Sequence, residues 1–296
     1  GSAVVDSLNT SGFFEPGFKN GLVAIFTANI TLGEEHLNQN QGIAYSSDKG
    51  RTWKYYDQNP VLDIGLKDFR DPNVMWWPSE QKWIMTVVKP LEYIAQFYES
   101  KDLKNWTLMS EFGKMGDTTK IWECPALVKV PLENSKEEKW VLLISSGHKT
   151  EGFVGMQYFV GEFDGHTFTS QNQNEIFSLD DGKDFYAAIP FNGLPNENAK
   201  PIIIGWLNNW AYAREIPLQG SRGSFSFPRE LSLYEANEQY KLKLNPIVNS
   251  AIETFQKNLN LESLEEPLQL DPSSNVYKLD LNIDLANTNG FDLDIL

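Results

Sequence analysis

Four times along the chain the same order of events recurs. A small or acidic residue opens a short apolar strand, a turn follows, and a second apolar strand ends near small polar residues. Ser2-Ala3-Val4-Val5 leads to Leu22 through Thr27, and Asp71 through Trp76 leads to Lys82 through Val88. Glu123 through Val128 leads to Lys139 through Ile144, and Asp184 through Ile189 leads to Pro201 through Trp206. Helical periodicity is nearly absent. Short apolar runs bounded by Gly, Pro, Asn and Asp read as strands, so the chain is all-β. Repeats of roughly 50–70 residues with four strands each are the pattern of a β-propeller, one repeat to a radial blade.

Three repeats continue into a further strand pair through an aromatic turn. The turns are Ser46 to Trp53, Ser100 to Trp106 and Phe163 to Phe168. The first, Ser-Ser-Asp-Lys-Gly-Arg-Thr-Trp, matches the pattern called an Asp-box. Its chemistry is local, because the Asp side chain caps backbone N–H groups of its own turn and Gly supplies a positive φ. After residue 235 the pattern changes. Tyr240 to Pro246 ends a strand, Ile247 to Phe255 reads as a short helix, and Val276 to Leu285 alternates as a half-buried strand does. The sequence thus divides into a propeller over 1–245, a linker over 246–262 and the start of a second β domain over 263–296.

In a propeller the innermost strands ring a central channel, and the residue opening each of them sits at its mouth. Asp71, Glu123 and Asp184 occupy that position in the repeat. A ring of carboxylates is what glycoside hydrolysis uses: one acid protonates the leaving oxygen, another carboxylate attacks or stabilises, and others hold hydroxyls. A general acid needs an apolar surrounding or a neighbouring negative charge to stay protonated. Glu123, between Ile121-Trp122 and Cys124-Pro125, has the most apolar neighbours and is the candidate acid/base. Asp71 follows Arg70, which is expected to hold it ionised. It therefore suits transition-state stabilisation or hydroxyl binding.

Composition agrees with a neutral polyhydroxy ligand. The formal net charge is −15, which argues against nucleic acid or an anionic membrane as partner. Nine Trp and eleven Tyr offer rings for sugar faces. The segment Trp206-Leu207-Asn208-Asn209-Trp210 reads as a strand edge or a sugar platform. The three histidines, His36, His148 and His166, have no metal spacing and are placed in loops, so neither metal nor other cofactor is expected. Cys124 is the single cysteine and reads as a small buried packer. Three N-x-[ST] sequons, at Asn9, Asn29 and Asn105, favour a secreted, extracellular or cell-wall protein.

Arg70-Asp71-Pro72, Trp122-Glu123-Cys124-Pro125, Lys183-Asp184-Phe185-Tyr186-Ala187 and Trp206 to Trp210 come in the order and spacing of glycoside hydrolase family 32, the invertases, inulinases and other β-fructofuranosidases. Gly1 to Asp6 resembles that family's S-G-S-A-V block, and the likeness is greatest to fungal-type secreted invertases. The resemblance covers about residues 1–250. It implies a five-bladed propeller followed by a β-sandwich, and a retaining double displacement on a fructosyl unit of sucrose or a fructan. Carried over, Glu123 resembles the acid/base and Asp71 the transition-state stabiliser. Arg70, Trp210, Gly1 and Asp184 resemble substrate-binding residues. The family's nucleophile lies in a W-M-N-D-P-N-G motif that these 296 residues do not contain. The expectation is therefore a central segment lacking most of the first blade and most of the sandwich, and inactive alone. The alternative is a propeller that binds sucrose or fructan without cleaving it. A sialidase-like reading would need an arginine cluster, and of the five arginines only Arg70 stands at an expected inner-strand opening. Sucrose against fructan preference is assigned to rim loops such as 147–155, and homo-oligomerisation stays open.

Overall fold

The computed structural model describes residues 1–146, 155–171, 175–194, 199–217, 220 and 222–248. The chain divides into two compact units, Gly1–Ile247 and Val248–Leu296. The second unit, the helix expected after Ile247 and the strand expected over 276–285 fall outside the described residues, apart from Ile247 and Val248, which carry no helix.

The first unit is a succession of antiparallel meanders. Sheet 1 holds β1 (Ser2–Val5), β2 (Leu22–Leu32), β3 (Glu35–Ser46) and β4 (Lys54–Tyr55) in chain order. Sheet 2 holds β5 (Arg70–Trp77), β6 (Lys82–Lys89), β7 (Ile94–Ser100) and β8 (Thr107–Gly113). Sheet 3 holds β9 (Trp122–Pro131), β10 (Glu138–Ser146), β11 (Gly155–Phe163) and β12 (Phe168–Ser170), with β13 (Phe177–Ser178) also on β11. Sheet 4 holds β14 (Tyr186–Pro190), β15 (Ile202–Trp206), β16 (Arg229–Ala236) and β17 (Gln239–Pro246).

Three apolar cores lie between successive sheets. Val4, Val23, Ile25 and Ile43 meet Val74, Met85 and Tyr98 between sheets 1 and 2. Ile84, Phe97 and Phe112 meet Trp122, Leu142 and Phe159 between sheets 2 and 3, and Val128, Leu143 and Tyr158 meet Phe185, Ile203 and Leu231 between sheets 3 and 4. Sheets 2 and 3 are therefore covered on both faces. This is why Lys82-Trp83-Ile84-Met85-Thr86-Val87-Val88 is buried throughout and shows no alternation. The first strands β1, β5, β9 and β14 pack beside one another in sequence. Asn192, just past β14, donates to the carbonyls of Ala3 at 3.0 Å and Val74 at 3.3 Å, linking sheet 4 to the first strands of sheets 1 and 2.

The three aromatic turns join the third and fourth strands of sheets 1, 2 and 3, and each is closed by its aspartate. Asp48 accepts from Thr52 N and Oγ1 at 2.9 and 2.7 Å, Asp102 from the backbone N–H groups of Lys104 and Asn105, and Asp164 from those of His166 and Thr167. The backbone donor of Thr52 is the main reason that the Asp48 carboxyl is held down at about 2. These turns are structural devices, as their sequence chemistry implies.

Candidate active site

One local deformation, repeated in three strands, builds the site. Near the start of β5, β9 and β14 the register against the neighbouring strand slips, between Arg70 and Asn73, between Glu123 and Ala126, and between Tyr186 and Ile189. At each slip one residue adopts a left-handed backbone: Asp71 at φ 65°, Cys124 at 47° and Ala187 at 52°. Such a conformation costs a non-glycine residue about 1–2 kcal/mol. Three of them at the same end of three neighbouring strands form a repeated bulge, a device that re-aims side chains.

The residues just before the three kinks meet. The guanidinium of Arg70 donates to Glu123 Oε1 through Nε at 3.2 Å and Nη2 at 3.0 Å, and the Tyr186 hydroxyl donates to Glu123 Oε2 at 2.7 Å. Arg70 and Glu123 keep only 14% and 16% of their side-chain surface exposed, so these contacts are shielded from bulk water. The remaining Arg70 nitrogen, Nη1, reaches Asp68 at 2.9 Å and Gln39 at 3.2 Å. Burial works against the guanidinium charge, but Glu123 and Asp68 outweigh it and raise the Arg70 pKa. Burial, and then the Glu123 charge, push the Tyr186 phenol far above its usual range, so it remains a hydrogen-bond donor.

Asp71 lies one step along the same row. Its Oδ2 accepts the Cys124 backbone N–H at 2.9 Å and faces the Cys124 thiol at 3.6 Å. Burial, followed by the charges of Asp71 and Glu123, pushes that thiol well above its usual value. A thiol so placed is a poor nucleophile, consistent with a packing role.

Trp206 ends β15, and its ring stands edge-on to Tyr186 at 6.4 Å and tilted by 57° to Trp210 at 4.9 Å. The asparagines between the two tryptophans are both buried and hold the turn. Asn209 Nδ2 donates to the Lys183 carbonyl at 2.7 Å, and Asn208 Oδ1 accepts the Asn209 N–H at 2.8 Å. Trp210 is 41% exposed, so a row of rings runs from Glu123 through Tyr186 and Trp206 to a partly exposed indole. At Gly1 a Cβ would stand 2.6 Å from the Ile25 carbonyl oxygen, so the backbone passes too close for any other residue.

The structure corrects several expectations. Asp71, Glu123 and Asp184 do not share one repeat position: the counterparts of Asp71 are Cys124 and Ala187, and those of Glu123 are Arg70 and Tyr186. Repeat position counts from the kink, which falls at Asp71, Cys124 and Ala187 alike, so Asp71 stands at its kink and Glu123 one residue before its own. Asp184 does not open a strand. It precedes β14 by two residues, and its carboxylate accepts from the Tyr212 hydroxyl. Arg70 directs its hydrogen bonds to Glu123, Asp68 and Gln39 and feels Asp71 only through the attraction of charges, and Glu123 sits between a cation and a phenol rather than in an apolar setting. His36 lies in β3, not in a loop; His166 is in a turn as expected, while His148 and rim residues 147–154 fall outside the described residues.

Glu80, Glu99 and His166 gather at the far end of sheet 2 in an arrangement that could suit a cation. The buried ammonium of Lys82 already stands among them, 3.0 Å from Glu80, 2.8 Å from Glu99 and 3.3 Å from His166 Nε2. It supplies the positive charge there.

Sequence reading did not single out Tyr186, Gln39 or Thr27. The available signal was the repeat itself: once the bulge is counted, Tyr186 stands where Arg70 and Glu123 stand in their strands.

The sequence model described as "Glycosyl hydrolases family 32 N-terminal domain" matches residues 1–246. A levanase of Bacillus subtilis is 40% identical over 94% of this chain and 41% of its own length, and an invertase of Debaryomyces hansenii is 38% identical over 95% of this chain and 53% of its own. Among solved structures, a fructofuranosidase from Schwanniomyces occidentalis complexed with fructose superposes with a TM-score of 0.76 at 38% identity, covering 85% of this chain and 49% of that one. The chain thus spans about half the length of the curated relatives it matches.

Proposed function

Since the chain belongs to glycosyl hydrolase family 32, we propose that its protein releases terminal β-D-fructofuranosyl units from sucrose or a fructan by a retaining double displacement. The observation that carries this reading is the setting of Glu123, with Arg70 on one carboxyl oxygen and Tyr186 on the other, beside Asp71 on the adjoining strand. In it Glu123 is the acid/base, handing a proton to the leaving oxygen and later taking one from water. Asp71 grips fructose hydroxyls as charge develops on the ring, Arg70 holds the far side of the pocket, and Trp210 supplies an apolar wall. Gly1 lines the pocket by close backbone approach. Asp184 binds through the position it shares with Tyr212. No residue here is assigned as the attacking carboxylate. The four meanders are then four blades of a five-bladed propeller, with residues 246–262 as linker and 263–296 opening a sandwich.

Secretion with N-glycosylation belongs to the same proposal. Asn29 and Thr31 are both exposed on the β2–β3 hairpin, whereas the Asn9 amide is engaged by the Phe14 backbone at 2.7 and 3.1 Å and the Asn105 amide by Asp102 at 2.7 Å. Asn29 is thus the favoured acceptor.

The test is fructose release from sucrose and from levan near pH 5 by the full-length protein, against Glu123→Gln. The variant keeps the size of the side chain but cannot cycle a proton, and a fall of roughly 10²–10⁴-fold is expected. A Glu123→Gln enzyme with unchanged rate would refute the assignment.

A further inference from the structure

Each left-handed residue at the mouth of the site presents a backbone N–H that the slipped register removes from the strand ladder. In all three cases a side chain from the preceding sheet accepts it. Thr27 Oγ1 takes the Asp71 N–H at 3.0 Å, Asp71 Oδ2 takes that of Cys124 at 2.9 Å, and Ser145 Oγ takes that of Ala187 at 3.1 Å. A buried N–H left without an acceptor is costly, so these contacts select the kinked backbone.

The contact at Asp71 has a fixed polarity. Thr27 and Gln41 are a directly opposed pair on β2 and β3. Gln41, fully buried, must turn its Nε2 toward the Phe69 carbonyl, at 2.8 Å, because a carbonyl only accepts. Its Oε1 then faces Thr27, which donates to it at 2.9 Å. The Thr27 proton being committed, its lone pair is what meets the Asp71 N–H. Gln39, two residues along β3 on the same face, accepts from the Phe69 N–H at 3.0 Å and from Arg70 Nη1 at 3.2 Å.

We propose that Thr27 and Gln41 are positioning residues: through one directional chain, Phe69 carbonyl to Gln41 to Thr27 to Asp71, they hold the Arg70–Asp71 dipeptide in the geometry that aims Arg70 at Glu123 and the Asp71 carboxylate at Cys124. Both act through the dipeptide in this assignment, not through substrate. The inference rests on the fructosidase reading for its kinetic consequences, but its geometric content stands apart.

The experiment compares Thr27→Val and Thr27→Ser in the full-length protein. Valine keeps the shape and removes both the acceptor and the donor; serine keeps both. Steady-state hydrolysis of sucrose, normalised to folded protein, is expected to fall roughly tenfold to a hundredfold in kcat/KM for Thr27→Val, mostly through kcat, with Thr27→Ser restoring it to within about threefold. Thr27→Val with unchanged kcat/KM and only a lowered melting temperature would overturn the proposal, leaving a purely structural role. A crystal structure of Thr27→Val gives a readout independent of turnover. Asp71 leaving the left-handed region and Arg70 losing Glu123 are expected; an unmoved Arg70–Asp71 dipeptide would also overturn it. If the unmodified protein releases no fructose, the fructosidase reading fails, and the crystal structure still decides the positioning chain.

Discussion

Tyr186→Phe removes a single oxygen atom and tests how far Glu123 depends on being held. In the native site the phenol donates to Glu123 Oε2 at 2.7 Å, and the Tyr186 side chain is 2% exposed. A hydrogen bond to a charged group contributes about 1.5–3 kcal/mol. Glu123 retains 16% of its surface, so water recovers part of the lost donor and the lower end applies. About 1.5 kcal/mol corresponds to roughly a tenfold loss of kcat/KM if the contact matters fully in the transition state. The phenylalanine ring keeps the edge-on contact with Trp206, so the melting temperature is expected to move by only a few degrees. The assay is initial-rate fructose release over a pH series, beside thermal unfolding of the same samples. A Tyr186→Phe enzyme with native kcat/KM at every pH would refute the claim that this phenol positions the proposed acid/base. A collapse in stability with unchanged activity per folded molecule would refute it equally.

Trp210→Ala opens the end of the ring row while leaving the asparagine anchors in place. It is expected to raise KM for sucrose about twofold to tenfold with the fold intact, as loss of one aromatic contact implies; initial rates over a sucrose series beside thermal melts check this. Cys124 is expected to resist iodoacetamide at pH 8.5 in the folded protein and to react promptly in denaturant, because burial and the neighbouring carboxylates disfavour the thiolate. Mass spectrometry of the alkylated protein reads the outcome. Asp48→Asn tests the first aromatic turn. The folded pKa of about 2 lies below the unfolded 3.8, so the contribution of the carboxylate is present above about 3.8 and is lost as pH falls through 2. The variant should therefore melt lower than the native protein at pH 6, with the gap closing toward pH 2 in thermal melts.

The strand repeat and the turn aspartates follow from local chemistry, and both were legible in the residues. Apolar runs at fixed spacing can bury themselves only as strands, and Asp48 caps its own turn whatever surrounds it. The same residues nominated Glu123 and Asp71, because a carboxylate opening an apolar strand is conspicuous. The partners of those carboxylates were not legible. Each of the three strands carries its bulge at the same place, and counting from it sets Arg70, and not Asp71, level with Glu123; the alternation of Arg70-Asp71-Pro72-Asn73 does not by itself mark where the kink falls. Thr27 and Gln41 read simply as polar members of their strands. They became part of the site only when sheet 1 packed on sheet 2 and brought them against a backbone N–H that had lost its ladder partner. Hydrogen-bond partners across sheets depend on three-dimensional register, which local sequence does not encode. The carboxylates were thus determined by the sequence itself, while the geometry that arms them was decided by the packing of one sheet on the next.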